Sequence, residues 1–299
     1  MNERKKHVIE KAHQLFINKG FQSTSIQDIL DYSGISKGTF YNYFSSKNEL
    51  LIALFKMIYT NLEKERNEVL IGKDPSDIQT FIEQIVLLMK INRKNKLFSI
   101  FEEVLFSNDE ELKRFIKQWH LRSLNWVYER FLNIFGENQK PYMLDCAIMF
   151  LGILQNNFKY YHLAYDSNYS LHQIVQYSVN RIVKLVDEVT KTGEQLIQPE
   201  ILESWLPSCS KGNHDFQQNL YHLVLTLKKS LVHCKEQEKF SELLDFIQDE
   251  LFHSKYPRKY LIEMALTSLR EVQTSFGKND LQSLEQLVKD YFSQIKENS

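Results

Sequence analysis

GFQSTSIQDILDYSGISKGTFYNYFSSKNEL, residues 20–50, reads as two short helices and the start of a longer one, divided by capped turns. Gly20 stands where a left-handed residue ends a preceding helix, with Phe21 placed to fold back on Phe16. Ser25 can hold the free N–H groups of the next turn, with Asp28 three residues on, and Ile26, Ile29 and Leu30 form one apolar face. Ser33-Gly34 ends that helix. Ser36 caps the next, which continues through Phe44. Ser46 and Glu49 form a capping box for the third, whose apolar stripe is Leu51, Leu54, Phe55, Ile58 and Leu62. Upstream, Ile9, Ala12 and Phe16 mark one face of a first helix running from about Glu3 to Lys19.

Two short helices joined by a tight turn at Gly34 have the geometry that lays a second helix in the DNA major groove. Each position of ISKGTFYNYF, residues 35–44, has a physical reason in that setting. Ser36 caps the end whose exposed N–H groups and positive dipole favour phosphate. Lys37 adds positive charge, and Gly38 lets the backbone approach the groove wall. Thr39 offers a hydroxyl for hydrogen bonding and a methyl for thymine. Phe40 and Phe44 point into the core, while Tyr41 and Tyr43 present phenols to phosphate oxygens. Lys47 is expected to reach the same strand, and Thr24 with Ser25 to form a second hydroxyl-lined phosphate site. Residues 1–60 hold eight Lys and Arg against five acids, a net of +3 in a chain whose total is −1, which suits phosphate contact.

The same stretch resembles the signature of the TetR/AcrR family of transcriptional regulators. The resemblance rests on Gly20-Phe21, on Ser36-x-Gly38-Thr39-x-Tyr41-x-x-Phe44, and on the Lys47 and Leu50 that follow. Leu30 stands where the family has a small alanine, and Tyr32 where it has a charged residue. The resemblance implies an architecture reaching to about residue 192, with homodimers on near-palindromic double-stranded operators. It also implies a repressor released by a small ligand held in the helical body. The last hundred residues exceed the usual family length and resemble nothing recognised.

The rest of the chain predicts an all-α protein. With 9 Gly and 5 Pro it lacks the turn residues of a β protein, and its 43% hydrophobic and 25% charged composition is that of a globular chain. Helices are expected at about 76–93, 96–107, 109–135, 141–166 and 170–192. After a looser stretch around Gly193, Pro199, Pro207 and Gly212, others follow at 214–236, 239–254, 257–276 and 280–297. Three parts follow: a helix-turn-helix domain at 1–47, a helical effector-binding and dimerisation body at 48–195, and a C-terminal helical extension of unassigned role at 196–299. The helices at 141–166 and 170–192 carry more apolar residues than one stripe needs, Ile182 among them, which points to a dimer interface or to cover by the extension. Aromatic residues on several helices of the body read either as core or as the wall of an apolar pocket. On the second reading Phe101, Trp126, Ile153 and Phe158 line it and Asn157 is the polar anchor.

Other classes find no support. There is no Gly-rich phosphate loop, nucleophile elbow or HExxH, so no enzyme is expected. Cys209, His214, His222, His233 and Cys234 share a region at no common metal-motif spacing, so neither metal nor cofactor is expected. Three scattered cysteines, no apolar leader and no run of 18 apolar residues predict a cytoplasmic protein with no membrane partner. The alternative to a ligand-released repressor is a DNA-bound interaction protein whose C-terminal helices recruit another protein.

Overall fold

The computed structural model describes residues 3–70, 73–105, 109–165, 170–206, 211–231, 234, 236–253, 257–276 and 279–297. Among them every regular element is helical. In order these are α1 (Glu3–Lys19), α2 (Ile26–Ser33), α3 (Lys37–Tyr43), α4 (Lys47–Glu68), α5 (Ile78–Lys94), α6 (Leu97–Leu105), α7 (Glu110–Phe135), α8 (Lys140–Tyr165), α9 (Leu171–Thr192) and α10 (Ile201–Trp205). There follow α11 (Lys211–Ser230), α12 (Gln237–His253), α13 (Lys259–Leu269) and α14 (Asp280–Glu297). The chain divides into two compact units, Met1–Trp205 and Leu206–Ser299.

The caps read from sequence set the helix boundaries of the first unit. Ser25 accepts from the Asp28 N–H, and the Asp28 carboxylate accepts in return from the Ser25 N–H at 2.7 Å. Gly34 takes a left-handed φ of 69° and donates to the Leu30 carbonyl at 2.9 Å, which ends α2 without strain. Gly20, at φ 87°, donates to the Phe16 carbonyl, and the Phe16 and Phe21 rings meet edge-on at 5.1 Å, as expected. At α4 the reciprocal bond differs in detail. Ser46 accepts from the Glu49 N–H, but the Glu49 carboxylate reaches back to the N–H of Ser45.

Two apolar cores fill this unit. The first joins α1, α2 and α3 to α4, α6 and the start of α7, through Ile9, Phe16, Ile29, Phe40, Phe44, Leu54, Phe55, Phe101 and Trp119. Its centre is Phe55, whose ring lies 4.7 Å from Phe101, 5.5 Å from Trp119 and 6.1 Å from Phe115. The second core lies among α5, α7, α8 and α9, with Phe81, Phe131, Phe150, Val179 and Ile182 fully enclosed. Ile182 is therefore internal to the protomer, not an interface residue, because α9 turns its apolar face onto α5 and α8.

The second unit is a small helical bundle with its own core, including Leu220, Leu227, Phe240, Leu244, Ile262, Leu269 and Leu284. Glu250 closes its α12–α13 turn by accepting from the Arg258 backbone N–H and from two guanidinium nitrogens at 2.7–3.0 Å. Three expectations need correction here. The looser stretch contains α10, and α11 begins before Gly212 rather than after it. The helix expected at 257–276 stops at Leu269 and continues as a 3-10 turn kinked at Val272. Pro207, Cys209 and His233 lie outside the described residues, as do the side chains of His214 and His222.

Phe55→Ala should lower the free energy of unfolding in urea by about 3–5 kcal/mol, because three neighbouring rings lose their shared partner. A loss near 0.5 kcal/mol, typical of a surface change, would mean that the ring stack does not hold the first core together.

Candidate nucleic-acid interface

α3 is a short helix with one face seated and the other open. Phe40 and Phe44 are buried with ring centroids 5.7 Å apart, anchoring the helix to the first core. Opposite them Lys37, Gly38, Tyr41 and Asn42 are exposed and Thr39 is half-buried. Ser36 caps the helix by accepting from the Thr39 N–H at 3.1 Å, and its hydroxyl also lies 2.9 Å from the Thr39 hydroxyl. Tyr43 differs from Tyr41: it is half-buried against the core edge, whereas Tyr41 is 46% exposed.

Gly38 is informative because the fold does not require it. A Cβ there would meet only the Ser36 hydroxyl, at 3.8 Å, an ordinary contact. Its φ is not among the positive values, so an L side chain would fit without strain. A helical glycine is about 0.8–1.0 kcal/mol less favourable than alanine, so an exposed one with open space around it calls for a reason outside the protomer.

Two sequence-named residues face inward instead. The Thr24 side chain is almost fully enclosed, and its hydroxyl donates to the Gly20 carbonyl at 2.6 Å, so it is not the phosphate contact expected of it. Lys47 does not reach outward either. Its ammonium donates to the carbonyls of Thr24 at 2.7 Å, Phe21 at 2.8 Å and Gln22 at 3.4 Å, and lies 4.5 Å above the Phe21 ring. Burial pulls its pKa below the usual lysine value, opposed by the charges of Glu103 and Asp28. Lys47 thus ties the start of α4 to the α1–α2 turn. Ser25 remains exposed, though its hydroxyl already serves Asp28. The Lys19 ammonium, 2.8 Å away, together with the Ser25 bonds holds the Asp28 carboxyl far below the usual carboxylate range.

The pocket residues expected in the body do not converge. Phe101 belongs to the first core, 4.4 Å from Trp119, whereas Trp126 stacks on Phe81 at the edge of the second. Phe158 meets Phe98 at 5.9 Å, and Ile153 is half-buried on α8. Asn157 is not a free anchor: its amide donates to the Ser178 hydroxyl at 3.0 Å and ties α8 to α9. An open cleft of about 750 Å3 lies elsewhere, lined by Val86, Lys90, Arg93, Lys94, Ser170, Leu171 and His172.

Sequence reasoning missed the polar contacts that reach the helix-turn-helix from the body. Glu103 of α6 accepts from the Gln22 N–H at 2.9 Å, and its carboxylate lies so near Gly20 that a Cβ there would meet it at 3.3 Å. Lys96 donates to the Ile17 carbonyl, and Asn48 donates to Asp109. It also missed buried Arg66, Gln84 and Arg130, although Arg66 continues the apolar stripe of α4 four residues after Leu62. Among the described residues no group of three or more His, Cys, Asp or Glu is placed to hold a metal ion. None of the described helices is long and apolar enough to cross a membrane.

Comparison with known proteins agrees with this geometry. Residues 8–54 match the family model described as bacterial regulatory proteins, tetR family. The uncharacterized HTH-type transcriptional regulator YerO of Bacillus subtilis (strain 168) is 27% identical over 274 residues, 90% of each chain. A second from the same organism, YuxN, is 27% identical over 296 residues, 97% of this chain and 99% of its own. The HTH-type transcriptional repressor KstR2 of Mycobacterium tuberculosis (strain ATCC 25618 / H37Rv) is 34% identical over 56 residues, 19% of this chain and 28% of its own. No solved structure matches.

Gly38→Ala should leave thermal stability unchanged or raise it by up to about 1 kcal/mol, while weakening binding to DNA selected from a random pool. Lys47→Met should behave oppositely, lowering the stability of the DNA-free protein by about 1–3 kcal/mol as charged hydrogen bonds are lost. A stable Lys47→Met variant with normal folding and weakened DNA binding would return Lys47 to the phosphate backbone.

Proposed function

We propose that this chain, whose residues 8–54 match the tetR family model, is a TetR-family DNA-binding transcriptional regulator, a dimeric repressor released from a near-palindromic operator by a small, largely apolar ligand. The observation that carries the DNA half is the exposed face of α3, with a glycine the fold does not need beside Thr39 and Tyr41. Ser36, Lys37, Gly38, Thr39 and Tyr41 are the contact set, with Ser25 beside them at the start of α2. In this reading residues 1–47 bind DNA, 48–195 sense the effector and dimerise, and 196–299 form an extension.

Support for the dimer comes from α8 and α9. Ile148, Tyr160 and Leu163 on α8 are exposed large apolar residues, and Tyr177 on α9 is another. Gly152 lies on the same side of α8 as Ile148 and Tyr160, with nothing within 4 Å of a Cβ built on it. Such a stripe suits close packing against a second copy, as a two-fold operator requires. Support for control comes from the ties between body and head. A ligand that moves α4 or α6 acts through Lys47 and Glu103 on the turn that sets α3. A preference of about 1–3 kcal/mol for the non-binding arrangement weakens operator affinity roughly 5- to 150-fold.

The second unit supports one other reading. α13 exposes Tyr260, Leu261 and Met264, an apolar face suited to recruiting another protein while α3 holds DNA. If that reading holds, Tyr260→Glu with Met264→Glu alters transcription without altering DNA affinity.

The direct test is selection of bound DNA from a random pool, followed by a ligand screen for release. A reporter that falls when the regulator is deleted would make it an activator. Thr39→Ala should relax sequence preference at a cost of about 1–3 kcal/mol. Paired Tyr160→Glu and Leu163→Glu should drive the protein to monomer and abolish operator binding. Sedimentation as an unaltered dimer would move the interface away from α8 and α9.

A further inference from the structure

α3 is so short that its register settles which side chain stands furthest from the protein. Phe40 is wholly enclosed in the first core and fixes the inward direction of the helix. With successive residues turned by about 100°, the direction opposite Phe40 falls between Gly38 and Asn42, about 20° from each. Thr39 and Tyr41 stand about 80° to either side of it, with Lys37 and Tyr43 further round. The crest of α3 is therefore two residues one turn apart, and glycine is one of them. Asn42 supplies its side chain.

Asn42 is exposed, and among the described residues its amide takes part in no hydrogen bond. Its neighbours are already engaged. The Thr39 hydroxyl lies 2.9 Å from that of Ser36, and the Ser25 hydroxyl donates to Asp28 at 2.7 Å. Tyr41 stands edge-on to Phe40, with 5.4 Å between ring centroids. Neither crest residue serves the helix, because alanine is the better helix former at both positions. A Cβ at Gly38 would have room, so the fold does not exclude one there. The crest thus combines clearance at one position with a free donor and acceptor at the other.

We infer that Asn42 is the residue that reads a base, an adenine presented in the major groove of each half-site. The asparagine amide matches the major-groove edge of adenine: its N–H donates to N7 and its carbonyl accepts from the N6 amino group. Both atoms stay free when adenine pairs with thymine, so the duplex presents them intact. A phosphate would take the amide donors and leave the carbonyl without a partner, since it offers acceptors only. The asparagine stem is one methylene long, so its amide meets a base edge only if the helix backbone comes close. Gly38, beside it on the crest, leaves that approach open. Thr39 and Tyr41, on the two flanks, face the walls of the groove rather than its floor. This assignment rests on the DNA-binding reading above and names the residue and the base that give it specificity.

The test selects bound DNA from a random pool with the full-length wild type, Asn42→Ala and Asn42→Arg. Asn42→Ala should melt no lower than the wild type, because an exposed side chain without a protein partner is removed. It should lose discrimination at one A·T pair in each half-site, by roughly 5- to 150-fold in relative affinity, and keep it elsewhere. Asn42→Arg should move the preference at that pair from A·T to G·C, since arginine pairs with the O6 and N7 of guanine. Replacing that adenine by 7-deazaadenine, which lacks the N7 acceptor, should weaken wild-type binding and leave Asn42→Ala binding unchanged. The assignment is overturned if Asn42→Ala enriches the same sequences as the wild type, or if it weakens binding equally for every sequence, as loss of a phosphate contact does. It is overturned equally if the position lost is a G·C pair, or if the wild type is indifferent to 7-deazaadenine there. A wild type that enriches no sequence removes the DNA-binding reading together with this one. A wild-type site whose every position survives Asn42→Ala removes the role of Asn42 alone.

Discussion

Phe55 sits midway along α4, enclosed by Phe101, Phe115 and Trp119, and this stack fastens the helices that carry α3 to the helices of the body. Its partners come from α6 and α7, while its neighbours on α4, Leu51 and Leu54, pack with α1, α2 and α3. One helix therefore answers to both sets of contacts. A shift of α4 that relieves one disturbs the other, because a close-packed interior does not deform smoothly. Under the proposed ligand release, this coupling is what would carry a change in the body to α3.

The polar contacts reinforce this constraint at both ends of α4. At its start, Lys47 gives its protons to the carbonyls of the α1–α2 turn, which is left with few backbone partners of its own. From the other side Glu103 accepts from the same turn. The turn is thus gripped by a cation and an anion carried on different helices. At the far end of α4, Arg66 and Arg130 share Gln84 but retain orphaned donors. At the first site the Lys47 ammonium has three carbonyl acceptors. The second keeps two buried donors without an acceptor, Arg66 Nε and one terminal nitrogen of Arg130.

The second unit, residues 206–299, has a core of its own and an internal tie at Glu250–Arg258. Its presence in YerO and YuxN, which match nearly the whole chain, separates these proteins from relatives matched only at the N-terminus. The segment shared with KstR2 covers 56 residues, little more than the helix-turn-helix, whereas the similarity to YerO and YuxN extends over 90% and 97% of this chain.

Local chemistry made the head legible. Glycine at a left-handed position, serine before a helix and aromatic residues four apart act within one or two turns, so the sequence alone determined α1 to α4, the caps and the exposed face of α3. Helical periodicity likewise predicted the all-α body and most of its boundaries. Charged and polar side chains were misjudged for the opposite reason. Lys47 and Thr24 look like surface groups until the carbonyls of the α1–α2 turn are brought against them. Ile182 and Phe101 look available until α5, α8 and Phe55 cover them. Arg66 and Arg130 stand 64 positions apart, and only packing of α4, α5 and α7 brings both to Gln84. A sequence encodes what each residue prefers within its own turn. Which partner meets it across the core, and whether its charge ends in water or in protein, is decided by tertiary structure, because those contacts join positions that no local period relates.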